Sequence, residues 1–358
     1  MTRPKHGVEL IYAPAVAGYR FPAGHPMQPE RFTLCVELAR MWGLLDEGGA
    51  RAVEPPTATD EDLLLVHSLD YLEHVKAVSE SPESADSSRG LGPGDTPAIR
   101  DLHAAAALGV GGTIDALEAI ASGRASRTFS PAGGMHHAHR DRASGFCVYN
   151  DLAVAIERAI ERHPSLRVAY IDIDAHHGDG VQEVFAERSN VLTVSVHESG
   201  RYLFPGTGDA RDRGTGAGEG FALNVPLEPH TDDEGFNAAI ERFVVPAVTE
   251  FAPHVILAQL GADTHVDDPL AHLDVSLAGY VAAVRRLVTL ADDVCGGRIA
   301  CTGGGGYQPY SMVPVMWASV LAVLLDVDVP ETPPDEWQAL AAAAASASKT
   351  SGEAWSRS

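Results

Sequence analysis

Four cysteines in 358 residues (Cys35, Cys147, Cys295 and Cys301) are too few and too scattered for a disulfide scaffold, and the closest two do not form C-x-x-C. That usage fits a reduced, cytoplasmic enzyme. Basic charge is also scarce: 26 lysines and arginines stand against 49 acids, a formal net charge of −23. Such a surface repels nucleic acid and acidic membranes and favours cationic ligands, or simply serves solubility. No apolar run approaches the length of a membrane span, and M-T-R-P-K-H lacks a signal-peptide pattern. Internal repeats are missing, and so is any stretch that reads as a linker. Residues 1–345 are therefore expected to form one domain, followed by a flexible tail over 346–358.

What is present is an alternation of short β-type runs with longer helical patterns. The runs are Val8–Tyr12, Leu63–His67, Arg127–Ser130, Val168–Asp172, Val191–Val196, Phe221–Val225, Val255–Leu260 and Ile299–Thr302. The helical patterns include Ile99–Ser122, Asp151–Arg162, Phe236–Phe251, Leu277–Val294 and Val313–Leu325, while Ser79–Pro97 reads as a surface loop. This alternation predicts a mostly parallel, eight-stranded sheet with helices on both faces. The chemically loaded residues follow the ends of candidate strands, where parallel α/β sheets place their ligand crevice.

The densest stretch is V-A-Y-I-D-I-D-A-H-H-G-D-G, Val168 to Gly180. Strand alternation would turn Asp172, Asp174 and His176 to one side. Carboxylate oxygens and an imidazole nitrogen are ordinary ligands of zinc or iron(II), and this many ionisable groups are costly to bury without a metal or a mutual network. Asp263, in L-G-A-D-T, is the candidate third ligand when paired with Asp174 and His176, although on its own it reads first as a helix N-cap. Three protein ligands leave coordination positions open, as a catalytic metal requires. His136 and His137 follow P-A-G-G-M, and Asp172 and Asp179 are free to orient one histidine each. Tyr307 follows four glycines and could donate to a developing oxyanion. The glycine run lacks the Lys and Ser/Thr of a phosphate-binding loop.

From Y-R-F-P-A-G-H-P-M-Q-P-E-R (Tyr19–Arg31) to G-G-G-G-Y-Q-P-Y-S-M-V-P-V-M-W (Gly303–Trp317), the chain resembles the histone deacetylase superfamily, and within it the bacterial acetoin-utilisation deacetylases. G-D-T-P (Gly94–Pro97), P-A-G-G-M-H-H-A, S-G-F-C-V-Y-N-D (Ser144–Asp151), D-I-D-A-H-H-G-D-G, L-F-P-G-T-G-D (Leu203–Asp209) and G-A-D-T carry the likeness between those ends. The resemblance implies the arginase/deacetylase fold and zinc, with iron(II) as the alternative, on Asp174, His176 and Asp263. It implies that His136 is the general base, His137 its acid or electrostatic partner and Tyr307 the carbonyl-polarising phenol, with Asp172 and Asp179 behind the histidines. Gly145, Phe146, Phe204 and Leu270 match the walls of an acyl-lysine channel, Asp95 a rim residue that grips substrate backbone, and Arg31 an inner-cavity arginine. Structural potassium is implied at Asp172, Asp174, His176, Ser195 and Val196, and at Phe185, Arg188, Val191 and Phe221. Gln308 departs from the Asn or Asp common after the tyrosine, and the loop His197–Arg201 differs from that of the nuclear enzymes.

The implied reaction is hydrolysis of acetyl-lysine in proteins, acetyl-CoA synthetase among them, with acetylated polyamines as the other substrate class. No nucleic-acid or membrane partner is implied. An arginase-like dimanganese hydrolase would need a bridging carboxylate where His177 and Gly178 stand, and a non-catalytic relative would be expected to have lost the phenol, a ligand or a histidine.

Overall fold

A computed structural model describes residues 7–45 and 49–350. Eight strands form one sheet: β1 (Val8–Ile11), β2 (Arg51–Val53), β3 (Arg127–Ser130), β4 (Val168–Asp172), β5 (Val191–Glu198), β6 (Ala222–Leu227), β7 (Val255–Gln259) and β8 (Ile299–Thr302). Their spatial order is β2-β1-β3-β8-β7-β4-β5-β6, and every pairing is parallel. Helices α1 (Glu30–Met41), α2 (Asp60–Leu63), α3 (Leu69–Glu80), α4 (Leu102–Ala121), α5 (Asp151–Arg162), α6 (Asp179–Phe185), α7 (Asp233–Ala239), α8 (Val245–Phe251), α9 (Leu277–Cys295), α10 (Met312–Leu324) and α11 (Asp335–Thr350) connect and flank the strands. The architecture is the one expected.

Helices cover both faces, so central strands such as β7 and β4 read as nearly continuous apolar runs. All five residues of β4 are buried. Val168 and Tyr170 join the core formed with α4 and α5, whereas Ala169 and Ile171 join the opposite core with α1, α9 and α10. The edge strand β2 is short, partly exposed and begins with an arginine, which discourages further pairing.

Several expectations need correction. Leu63–His67 is not a strand. Thr59 and Asp62 form a reciprocal capping box that winds the preceding residues into α2, and the apolar residues follow in turns. The eighth strand is instead Arg51–Val53, three residues too short to signal itself. Helix α4 is long and apolar enough to cross a membrane, contrary to the sequence reading, but 61% of its apolar window is buried within this fold. Of the tail expected over 346–358, residues 346–350 belong to α11; residues 351–358, like 1–6, lie outside the described residues.

Candidate active site

The four middle strands β3, β8, β7 and β4 are neighbours, and each ends at the same edge of the sheet. Four loops with separate origins therefore meet there: 131–139 after β3, 173–178 after β4, 260–268 after β7 and 303–307 after β8. Strand β4 stops at Asp172, so alternation along a strand is not what aligns Asp174 and His176. Local hydrogen bonds do it instead. The N–H of Asp174 donates to Asp172 Oδ1 (3.0 Å), that of His176 to Asp174 Oδ1 (3.0 Å), and that of Ala175 to Asp263 Oδ1 (2.9 Å).

Asp174, His176 and Asp263 are all buried, and their candidate ligand atoms lie within 4.8 Å of one another. His176 Nδ1 stands 3.2 Å from Asp174 Oδ1 and 2.8 Å from Asp263 Oδ2. Gln259 Nε2 and the Gly305 N–H each donate to Asp174 Oδ2 at 2.7 Å. Cβ atoms at Gly261 and Gly305 would fall 2.2 Å from Asp174 Oδ2 and 2.0 Å from Asp263 Oδ2, so these glycines make room for the carboxylates. Burial and the neighbouring Asp174 raise Asp263 to about 8. Burial opposes a charge on His176 as well, yet the two carboxylates overcome it and lift the imidazole to about 10. Two buried carboxylates sharing one imidazole call for a cation, and a nitrogen with two carboxylate oxygens suits zinc or iron(II). The residues fit a divalent ion. Among the described residues this is the one cluster of three such ligands.

Beside it lie two histidine–carboxylate pairs. His136 Nδ1 is 2.7 Å from Asp172 Oδ2, His137 Nδ1 is 2.7 Å from Asp179 Oδ1, and the Nε2 atoms of the two rings face each other at 3.0 Å. Asp172 also accepts from the Tyr170 hydroxyl. Burial disfavours a charged His136, but Asp172 and Asp174 outweigh it and raise the ring to about 9. Burial and then the adjacent His136 lower His137 to about 4. With protein groups alone, this order is opposite to the one that a base at His136 and an acid at His137 would need. His136 faces two carboxylates, whereas His137 faces one carboxylate and a positive neighbour.

His137, His176 and Tyr307 form the floor of a pocket of about 490 Å³, walled by Gly145, Phe146, Phe204 and Leu270, with Asp95 also lining it. The Phe204 ring lies 5.0 Å from that of His137, and the Phe146 ring 5.7 Å from that of Tyr307. Phe146 is held at φ 69°, a left-handed conformation unusual for an aromatic residue. The loop Ser79–Pro97 thus supplies pocket wall as well as surface. Tyr307 is fixed by its N–H donating to Asp268 Oδ2 (2.8 Å), and burial raises its phenol well above the ordinary value. Arg31 is buried outside this pocket, donating to the Gly306 carbonyl (3.0 Å) and lying over Phe32 and Trp317.

The residues matched to potassium fall in two places. Asp172 and Ser195 are register partners in β4 and β5, next to Asp174, His176 and Val196. Phe185 ends α6 and Val191 opens β5, while Arg188 pairs with Glu157 and the Phe221 carbonyl accepts from the Thr193 N–H (2.9 Å). His177 turns away from the ligand cluster to Thr207 and Gln182. Sequence reasoning missed Gln259 and Asp268, which hold the Asp174 carboxylate and the Tyr307 loop. A glutamine ending the otherwise apolar V-I-L-A-Q was the available signal.

Comparison with known proteins agrees with this geometry. A family model described as histone deacetylase domain matches residues 25–324. The acetoin utilization protein AcuC of Bacillus subtilis is 42% identical over 330 residues, covering 92% of this chain and 84% of its own. AcuC of Staphylococcus aureus is 38% identical over 318 residues, covering 88% and 81%. A crystal structure of an HDAC homolog complexed with SAHA superposes with a TM-score of 0.86 at 33% identity, covering 94% of this chain and 89% of that one. One of an HDAC homolog from Aquifex aeolicus gives 0.85 at 33% identity, covering 94% and 88%.

Proposed function

The chain belongs to the histone deacetylase family, and from that premise we propose that it hydrolyses the acetyl amide of acetyl-lysine in proteins, releasing acetate. The observation that carries this reading is the ligand cluster Asp174–His176–Asp263 beside two histidine–carboxylate pairs, at the floor of an aromatic-walled pocket. Asp174, His176 and Asp263 would hold zinc or iron(II), which supplies Lewis-acid polarisation of the amide carbonyl and of water.

The protein groups have separable tasks. His136, its Nδ1 held by Asp172, accepts a proton at Nε2 from the attacking water. With Asp174 engaged as a ligand, its pull on His136 would be offset, and the ring would release its proton more readily and serve as base near neutral pH. His137, held at Nδ1 by Asp179 and neutral at rest, takes at Nε2 the proton that His136 has received, 3.0 Å away, and donates it to the departing amine nitrogen. Because the two Nε2 atoms share one site, their titrations belong to the pair. The Tyr307 phenol stays protonated and donates to the carbonyl oxygen as negative charge develops there. Phe146 and Phe204 sandwich the lysine methylenes, and Asp95 meets substrate backbone at the rim. Asp172, Asp174, His176, Ser195 and Val196, and separately Phe185, Arg188, Val191 and Phe221, would hold the two structural potassium ions that the family likeness implies.

The names of the bacterial relatives favour a partner in acetoin metabolism, and acetylated acetyl-CoA synthetase is the proposed protein substrate, in the cytoplasm. A panel of acetyl-lysine peptides, acetylated acetyl-CoA synthetase and acetylated polyamines, assayed after reconstitution with zinc or iron(II), tests the reading. Turnover of polyamines alone would replace it with an amine amidohydrolase, and no turnover of any amide would overturn it.

A further inference from the structure

A third histidine closes on one of the two carboxylates behind the pocket. Asp179 Oδ1 accepts from His137 Nδ1 (2.7 Å) and from the Gly180 N–H (3.0 Å). Its other oxygen, Oδ2, lies 3.5 Å from His139 Nε2, an ion-pair distance, and His139 Nε2 makes no hydrogen bond. The opposite ring nitrogen, Nδ1, bonds Glu183 Oε2 at 2.6 Å. Asp179 and Glu183 stand four residues apart on α6, so one helix face grips the His139 ring from both sides. His139 is buried while the Glu183 side chain is 60% exposed, and both line a second cavity of about 630 Å³. Phe204 lines this cavity and the substrate pocket alike.

The two histidine–carboxylate pairs are therefore braced differently. Asp172 is pinned on both oxygens from its own strand and loop, Oδ2 by the Tyr170 hydroxyl and Oδ1 by the Asp174 N–H. Asp179 sits in the first turn of a seven-residue helix, and its Oδ2 has no such hydrogen bond. A carboxylate's last torsion is broad, so an unbraced Asp179 would let the His137 ring rock. We propose that His139, clamped by Glu183, is a positioning residue that fixes Asp179 and through it the ring plane of His137. The inference rests on the deacetylase reading for its catalytic consequence and on geometry alone for the bracing.

His139→Ala, His139→Gln and Glu183→Ala in the zinc-loaded protein test it. Loss of an outer partner to a site of this kind costs about 10- to 100-fold. His139→Ala should lower kcat on an acetyl-lysine peptide by about tenfold at the lower end of that range, with KM within about twofold. His139→Gln, whose amide N–H can reach Asp179 Oδ2, should recover most of the loss. Glu183→Ala, an exposed change that leaves the fold intact, should give a smaller fall of the same kind. A second readout does not need turnover: the far-downfield proton resonance of His137 Nδ1–H in histidine-labelled protein should move or broaden in His139→Ala and return in His139→Gln. Unchanged kcat and an unchanged resonance in folded His139→Ala, or in Glu183→Ala should the first variant not fold, would overturn the proposal. A parent protein without amide hydrolysis would overturn the deacetylase reading, and the resonance would still decide the bracing.

Discussion

Adding one methyl group at Gly305 gives the sharpest test of the ligand cluster. A Cβ there would stand 2.0 Å from Asp263 Oδ2, 2.7 Å from its Cγ and 2.9 Å from Asp174 Oδ2. Ordinary contact begins at 3.4 Å, so the Asp263 carboxylate must retreat by well over 1 Å. Metal–ligand distances tolerate only about 0.2 Å before coordination is lost or reshaped. The backbone at 305 lies outside the left-handed region, so the penalty falls on the carboxylates and the fold should survive. Gly305→Ala is expected to weaken zinc affinity by at least the roughly 10- to 100-fold typical of disturbing groups around a site. Competition against a chromophoric chelator measures the affinity, and thermal melting of the metal-free protein checks the fold. Gly7→Ala, where a Cβ meets nothing within 4 Å, serves as the control. Parental affinity in Gly305→Ala would mean that Asp263 is not a ligand.

Tyr307→Phe should keep metal content and melting temperature while lowering kcat by about 10²–10³, the usual worth of a preorganised oxyanion donor; an unchanged rate removes the phenol from the mechanism. His136→Ala should cost roughly 10²–10⁴ in kcat with the ion still bound, and near-parental turnover would assign the base elsewhere. Metal affinity should climb with pH. In the metal-free cluster Asp263 and His176 hold protons below about 8 and about 10 respectively, and ligation requires both to lose them. Calorimetry in buffers of different ionisation enthalpy should therefore detect proton release at pH 7, shrinking as pH rises; a pH-independent affinity would refute the assignment. Short acetylated amines should have poorer kcat/KM than acetyl-lysine, since each lysine methylene sandwiched by Phe146 and Phe204 contributes about 0.8 kcal/mol. Equal efficiency would refute the channel.

Much of the fold was legible because buried parallel strands carry unbroken apolar runs. Val168–Asp172 and Ile299–Thr302 match the observed strands residue for residue. The failures have local causes. An apolar run such as Leu63–His67 does not distinguish a strand from the turn after a short helix, and the capping pair Thr59–Asp62 decided it. The proximity of Asp174, His176 and Asp263 could be anticipated from chemistry, but the bend after Asp172 could not, since it depends on main-chain donors meeting the carboxylates of Asp172 at the strand's own end and of Asp263 in the loop after β7. His139 gave no signal at all. One histidine near a pair reads as surface until α6 brings two acids to it.

The pairing of β3 with β8 and of β4 with β7 also bears on how the molecule is born. Residue 127 must find residue 299, and residue 168 must find residue 255, so closure of the sheet awaits nearly the whole chain. A nascent chain carries Asp174 and His176 into solution well before Asp263 has been synthesised. Contacts this distant in sequence are slow to form and leave strand edges exposed meanwhile. Until β7 is seated, the half-built site can hold an ion only loosely and with little discrimination. Capture of an ion at Asp174, His176 and Asp263 would thus be a late event in biogenesis, and its tightness would register whether the sheet has been completed.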